Sequence, residues 1–443
     1  MTDALDLAGA ARDAGAKEAW IDGEGTLSFA ELARAASAIA ERWPPLAPGD
    51  RVVITPRLER ASALAILALL ERRATIALAH PRWSALERER VVERVRPRLV
   101  LDGAEVERER PAEPGDAGSA AVIVFTSGTS GTPKGVLLSR SALLAAAEAH
   151  AAALPWIERD RWLLAMPLAH VGGLGVILRC LSARRAVVLG PDRFDPRALL
   201  AAAAEHEATL LSLVPTMLER LLPSPPPPSV RAVLLGGAAA TSELVARGRA
   251  HGWPLLPTYG LSECCAQVCT QRLDAPRPSG VGPPLPGIEV RIEGGIIEVR
   301  GPTRMDGYLG EPPLAPDAWV RTGDLGFFDD EGHLHVLGRA DDRIVTGGEN
   351  VDPLAVEDAL ASHPEVRAAC VVGVDDPHWG QRVTALVVPR DPARPPSVDA
   401  LREHLATRVA AFARPREWRF VDALPLTPNG KLDRRAARER VRG

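Results

Sequence analysis

Short apolar runs that each stop at a glycine-bearing or polar loop recur through the first 260 residues, and this punctuation constrains the fold most. The runs are 51–55, 119–125, 230–235 and 254–258, with a further short strand at 136–138. A continuous apolar run of four to seven residues is the signature of a strand covered on both faces. Between them lie helical patterns. Residues 26–43 carry apolar positions three and four apart after a serine at the N-cap, and an Ala-rich helix begins at Ser141. The Pro/Gly turn 46–50 feeds the first run, and the proline run 223–230 reads as a stiff surface connection because an apolar strand follows it. This alternation predicts a parallel sheet wrapped by helices, with ligands at the C-terminal ends of its strands.

The pattern changes near residue 280. Gly294 and Gly295 separate two alternating runs, a hairpin signal. Beyond Arg339 the spacing predicts a helix at 353–361, strands at 366–374 and 383–389, a helix at 398–411 and a strand near 418–421. The fold class is therefore α/β: a large N-terminal domain over 1–338 with doubly wound sheets and a β-rich subdomain, a hinge at 339–342, and a small α+β domain over 343–443.

At 443 residues, with 46% apolar and 25% charged residues, the chain has the composition of a globular protein of two or three domains. A net charge of -4 gives no reason to invoke nucleic acid or an anionic membrane. The N-terminus has no apolar core run, and the longest clean apolar run, 61–70, is too short to span a bilayer. These features predict a cytoplasmic enzyme with small-molecule substrates and no membrane insertion; a homo-oligomer is compatible with them. Cys180, Cys264, Cys265, Cys269 and Cys370 include no CxxC pair, so they read as small buried thiols rather than disulfides or a zinc site.

Fifty arginines accompany only three lysines, and two of these, Lys134 and Lys431, sit in Gly- and Pro-containing loops. A chain that uses Arg for generic charge keeps an ammonium where a compact point charge matters. The segment Thr126–Gly135, TSGTSGTPKG, follows an apolar strand with hydroxyls, glycines and Lys134, a combination suited to wrapping polyphosphate. It is not a Walker A loop, because Pro133 precedes the lysine and Gly135 follows it.

This loop resembles the phosphate loop of the adenylate-forming acyl-CoA ligase superfamily. PLAHVGG (167–173), LLGGAAA (234–240), PTYGLSE (257–263), RTGDLG (321–326), GRADDRIVTGGENVDP (338–353) and LTPNGKLDR (426–434) match in the same order over nearly the whole chain. The resemblance implies ATP, Mg2+ and CoA as the co-substrates. It assigns the nucleotide to Thr126, Ser127, Gly128, Thr129, Ser130, Gly131, Thr132, Lys134, Gly236, Tyr259, Gly260, Ser262, Asp324 and Arg339. Glu263 is implied to hold Mg2+, Lys431 to bring positive charge to the reacting carboxylate and α-phosphate, and His170 to gate the acyl pocket. Asp341 matches the hinge about which a mobile small domain turns, and Gly347 and Gly348 leave room for the pantetheine arm of CoA.

Within the superfamily the chain is most similar to o-succinylbenzoate-CoA ligases of menaquinone biosynthesis. The resemblance puts Arg179 opposite a second substrate carboxylate, with Gly237 and Gln267 also at the acyl pocket. An acid with two carboxylates, one of them unreacted, calls for such a cation, since arginine pairs with carboxylate bidentately. An arginine snorkelling from its helix to solvent, another aryl- or acyl-CoA ligase, a protein that loads a carrier thiol, and a nucleotide-binding pseudoenzyme remain the alternatives.

Overall fold

A computed structural model describes residues 3–111, 120–126, 133–427 and 431–442. Among them, the strands form four sheets. Two large sheets, of eight and seven strands, make up the doubly wound part of the fold, and both are mixed rather than purely parallel. Ala120–Thr126 pairs antiparallel with Lys134–Ser139, and Leu255–Leu261 pairs antiparallel with Ala266–Thr270. Both connections are too short for a helical crossover, so the strands return as hairpins. The central strands of each sheet are parallel, for example Leu210–Leu213 beside Ala232–Leu235.

The helices follow the local signals. Ser28 caps Phe29–Ala40 in a capping box with Glu31, as its place in the pattern predicts, and the residues before it, Gly25–Ser28, pair antiparallel with Glu18–Asp22. The glycine pair 294–295 turns the hairpin between Glu289–Glu293 and Ile296–Arg300, and both glycines have positive φ. That hairpin opens a four-stranded sheet with Val320–Phe328 and Leu334–Arg339.

From Ile344 onward, every described strand belongs to the fourth sheet, built on the long hairpin Val366–Asp376 and Gly380–Pro389. Helix Val398–Ala406 ends five residues earlier than its pattern predicts. Arg414 folds back onto the Ala406 and Val409 carbonyls and satisfies the free helix end. All five cysteines are buried free thiols, and no cluster of metal-ligating residues occurs among the described residues. No described helix is long and apolar enough to cross a membrane.

Candidate functional site

The C-terminal ends of three strands converge on one cluster. Thr126 ends its strand, with Ser127–Thr132 lying outside the described residues. Strand Ala232–Leu235 runs into Gly236 and Gly237. A Cβ on Gly236 would sit 2.6 Å from Thr258 Cγ2, so only glycine fits there, and Gly237 adopts a φ of +75°. Strand Leu255–Leu261 carries Tyr259 and Gly260 and leads into Ser262 and Glu263. A side chain at Gly260 would collide with the Ala266 carbonyl across the hairpin.

Tyr259 donates its hydroxyl to Asp324 at 2.6 Å. The other Asp324 oxygen accepts from Arg339 at 3.2 Å, and Arg339 also donates to the Thr322 carbonyl at 2.8 Å. Burial pushes the Tyr259 phenol well above its ordinary pKa, and the Asp324 charge adds to this, so it stays a donor. Asp324 and Arg339 face each other across the Val320–Phe328 and Leu334–Arg339 pair, which sets their register.

Glu263 accepts the Tyr308 hydroxyl at 3.1 Å, and the Lys134 ammonium lies 4.9 Å from the centre of the Tyr308 ring. Tyr308 was absent from the site read in the sequence. Its rarity, as one of two tyrosines in the chain, was the signal that could have found it.

Lys431 comes to this cluster from the far end of the chain. Its ammonium keeps contact with solvent but is enclosed by protein on most sides, and this loss of hydration lowers its pKa. Asp324 and Glu263 pull the pKa back up, and Arg339 lowers it further. The loop is pinned by Thr427 N–H donating to the Lys431 carbonyl at 2.7 Å and by the bridge between Leu426 and Leu432. Three residues later Arg434 makes a buried ion pair with Glu357, 2.8 Å at its longer contact.

Gly347 and Gly348 form the tip of the hairpin between Ile344–Thr346 and Glu349–Val351, both at positive φ. Gly347 lies under Trp379, Gly348 has open space around it, and neither touches the Asp324 cluster. Asp341 is exposed, 3.9 Å from Arg339.

A second region runs along helix Val171–Ala183. His170 is its N-cap residue, and Gly173 packs so closely on the Pro167 carbonyl that a Cβ would collide. The His170 ring lies 5.1 Å from His80, whose pKa falls to about 4 through burial, with His170 and Arg82 adding to the effect. A small, partly open cleft is lined by this helix and by Leu143, Ala146 and Ala147 of helix Arg140–Ala153. Arg179 and Cys265 close its end.

Arg179 is 4% exposed, so it does not snorkel to solvent. Its guanidinium folds back over Gly175, 3.6 Å from where a Cβ would stand, and lies 5.6 Å from the Trp162 ring centre. No carboxylate forms a salt bridge with it among the described residues, and its Nη2 has no hydrogen-bond partner. Burial lowers its pKa to about 10. Burial also raises the pKa values of its thiol neighbours Cys180 and Cys265, so neither supplies a counter-charge. A buried cation without a partner is a costly arrangement in a resting fold.

Gln267, expected at the acyl pocket, is not among the residues that line this cleft. Its amide links His150 at 2.9 Å to Thr270 at 2.9 Å in a buried polar chain. His150, absent from the sequence reading, sits in an Ala-rich helix whose pattern gave no sign of it.

The AMP-binding enzyme family model matches residues 101–309, and that of the AMP-binding enzyme C-terminal domain matches 355–431. A 2-succinylbenzoate--CoA ligase from Bacillus licheniformis is 34% identical, covering 94% of this chain and 95% of the relative. The Bacillus subtilis o-succinylbenzoate CoA synthetase, solved with the acyl-adenylate intermediate OSB-AMP, aligns with a TM-score of 0.86 at 30% identity, covering 99% and 97%. ATP-bound MatB from Rhodopseudomonas palustris aligns equally well, with a TM-score of 0.86 at 27% identity over 98% of both chains. With matched segments on both sides of the Asp324–Lys431 cluster and similarity along nearly its full length, the chain belongs to the AMP-binding enzyme family.

Proposed function

We propose that this protein is an ATP-dependent, AMP-forming acid–thiol ligase whose acid is 2-succinylbenzoate (o-succinylbenzoate), serving menaquinone biosynthesis in the cytoplasm. The observation that carries the choice of acid is Arg179, a buried cation without a carboxylate partner among the described residues, lining an otherwise apolar cleft. A fatty acid gives it nothing, whereas a second carboxylate gives it a bidentate partner. The relatives named for the same acid support this reading.

The reaction has two steps. A substrate carboxylate attacks the α-phosphate of ATP to form an acyl-adenylate and release pyrophosphate; CoA then displaces AMP to give the thioester. Two anions must meet in the first step, and Lys431 supplies positive charge there. The loop Thr126–Thr132 with Lys134 wraps the phosphates, and Ser262 donates to the α-phosphate. Gly236, Gly237 and Gly260 let backbone approach the nucleotide and acyl group. Asp324 has one lone pair on each oxygen left after Tyr259 and Arg339 are served, enough to accept both ribose hydroxyls. Tyr259 offers its ring to adenine, and His170 stands at the mouth of the acyl cleft.

Glu263 belongs to no group of three or more metal-ligating side chains among the described residues, which suits an ion that arrives already bound to ATP phosphates. Mg2+ carried with ATP supplies charge neutralisation at the triphosphate. For the second step, the small domain turns about Asp341 and brings Gly347 and Gly348 to the site for CoA, with 1–338 as the nucleotide- and acyl-binding domain and 343–443 as the moving one.

The test is product formation with ATP, Mg2+ and CoA, scoring AMP and acyl-CoA. 2-Succinylbenzoate is compared with benzoate, medium-chain fatty acids and aryl propionates. Strong preference for the diacid, lost in Arg179→Ala, is expected. Turnover of a monoacid and none of the diacid would overturn the assignment of the acid.

A further inference from the structure

His150 lies one turn beyond the cleft on the helix face that lines it. Leu143, Ala146, Ala147 and His150 are spaced i, i+3, i+4 and i+7, which puts them on one side of helix Arg140–Ala153. The imidazole is 1% exposed and packs 4.9 Å from Trp162, the ring that also carries the Arg179 guanidinium. Two buried polar side chains thus pack against one indole ring, near enough for the Arg179 charge to act on the imidazole.

The tautomer of His150 follows from the polar chain behind it. The Thr270 hydroxyl donates to the Cys269 carbonyl at 2.8 Å and therefore accepts from Gln267 Nε2. Gln267 Oε1 then faces His150 Nδ1, and since the amide oxygen only accepts, Nδ1 carries the proton. Nε2 is left with a lone pair, buried and without a hydrogen-bond partner. Arg179 Nη2 is a buried donor in the same state. An orphaned acceptor and an orphaned donor in one cluster call for a group that can serve both.

We propose that His150 completes a distal-carboxylate subsite: a ligand carboxyl group held by Arg179 also bonds to His150 Nε2, with one proton taken up from solvent on binding. This rests on the reading of Arg179 as the partner of a second substrate carboxylate. The proton moves from the buffer acid to the pair formed by His150 Nε2 and the carboxyl group, and no other bond changes.

The charges around His150 favour this coupling. Burial holds the imidazole well below its usual pKa, and the positive charges of Arg179 and Arg231 add to the effect. Arg231 is already paired with Asp160 at 2.5 Å, so its charge is largely balanced. Gln267, Trp156 and Trp162, the other groups against the ring, are uncharged. A carboxylate arriving at Arg179 cancels the one unbalanced charge and makes protonation at Nε2 favourable.

The experiment compares 2-succinylbenzoate with 3-benzoylpropionate, the same acid without its ring carboxylate. Calorimetric titrations of the full chain at pH 8, in buffers of different ionisation enthalpy, count the protons taken up. The wild-type protein is expected to take up about one more proton with the diacid than with the monoacid. His150→Phe is expected to abolish that difference and raise KM for the diacid about tenfold, leaving the monoacid KM unchanged. Equal proton counts for the two acids in the wild-type protein overturn the inference, and that measurement needs no variant to fold. If Arg179→Leu weakens both acids alike, the reading of Arg179 falls and the His150 subsite with it. If Arg179→Leu harms the diacid selectively while the proton counts are equal, only the role of His150 falls.

Discussion

Asp358 accepts the backbone N–H of Ser242 at 2.9 Å and its hydroxyl at 3.2 Å, so helix Pro353–Ala361 caps the N-terminus of helix Ser242–Ala250. The contact ties the C-terminal sheet unit to the eight-stranded sheet while Lys431 stands at the Asp324 cluster. If Lys431 acts as proposed, this contact favours the arrangement suited to adenylation. Asp358→Ala is expected to slow pyrophosphate release several-fold, on the order of the ~1 kcal/mol of a lost cap. Transfer from pre-formed acyl-adenylate to CoA should be unchanged, and Asp358→Asn, which keeps an acceptor, should behave nearly as wild type. Equal slowing of both half-reactions would argue against a latch.

In the role proposed for it Lys431 must be protonated, and burial lowers its pKa. The sign follows directly: adenylation falls as pH rises through that lowered value, earlier than for an ordinary lysine. Lys431→Ala should reduce adenylation by roughly 10²–10³-fold. Lys431→Arg should be slower but lose the alkaline fall, because guanidinium stays charged. A pH–rate profile of pyrophosphate release reads all three.

Arg179 sets stability against selectivity. Arg179→Met removes a buried cation without a partner and fills similar volume, so the ligand-free protein should gain about 1 kcal/mol or more. The same variant should lose its preference for the diacid. Thermal melts without substrate, alongside KM for diacid and monoacid, check both halves; a lower melting point would mean that the charge is already balanced.

Arg434 bonds to Glu357 and to the Val371 carbonyl inside the C-terminal sheet unit. Arg434→Met leaves the Glu357 carboxylate buried without its partner and should cost about 3–5 kcal/mol. Arg434→Met with Glu357→Leu should recover much of that loss. Denaturant unfolding of the two variants distinguishes a buried-charge penalty from simple loss of packing.

Tyr259→Phe removes the 2.6 Å bond that orients Asp324. A hydrogen bond to a charged group contributes about 1.5–3 kcal/mol, so KM for ATP should rise on the order of tenfold or more. KM for the acid should stay unchanged if, as proposed, Asp324 holds the ribose.

Local features were legible in the residues. Ser28 with Glu31 announces its helix, and Gly294–Gly295 announces a hairpin, because caps and tight turns are decided within four residues. The site was partly legible for a different reason: Lys134 and Lys431 stand out in a chain that otherwise prefers arginine. Tyr308 stood out only by its rarity and His150 not at all, since a tyrosine beside Glu263 and a histidine bonded to Gln267 become significant only through partners 45 and 117 residues away in sequence.

The sequence by itself determined where strands and helices begin, which loops could meet phosphate, and that the chain changes character near residue 340. Those properties depend on short-range sterics, turn chemistry and hydrophobic period. Only the tertiary structure decided that the two large sheets are mixed rather than purely parallel, that Glu263, Asp324 and Lys431 share one cluster, and that Arg179 and His150 are buried with polar atoms unpaired among the described residues. Strand pairing across long loops and the balance of buried charge arise from contacts between distant segments, and no local pattern encodes them.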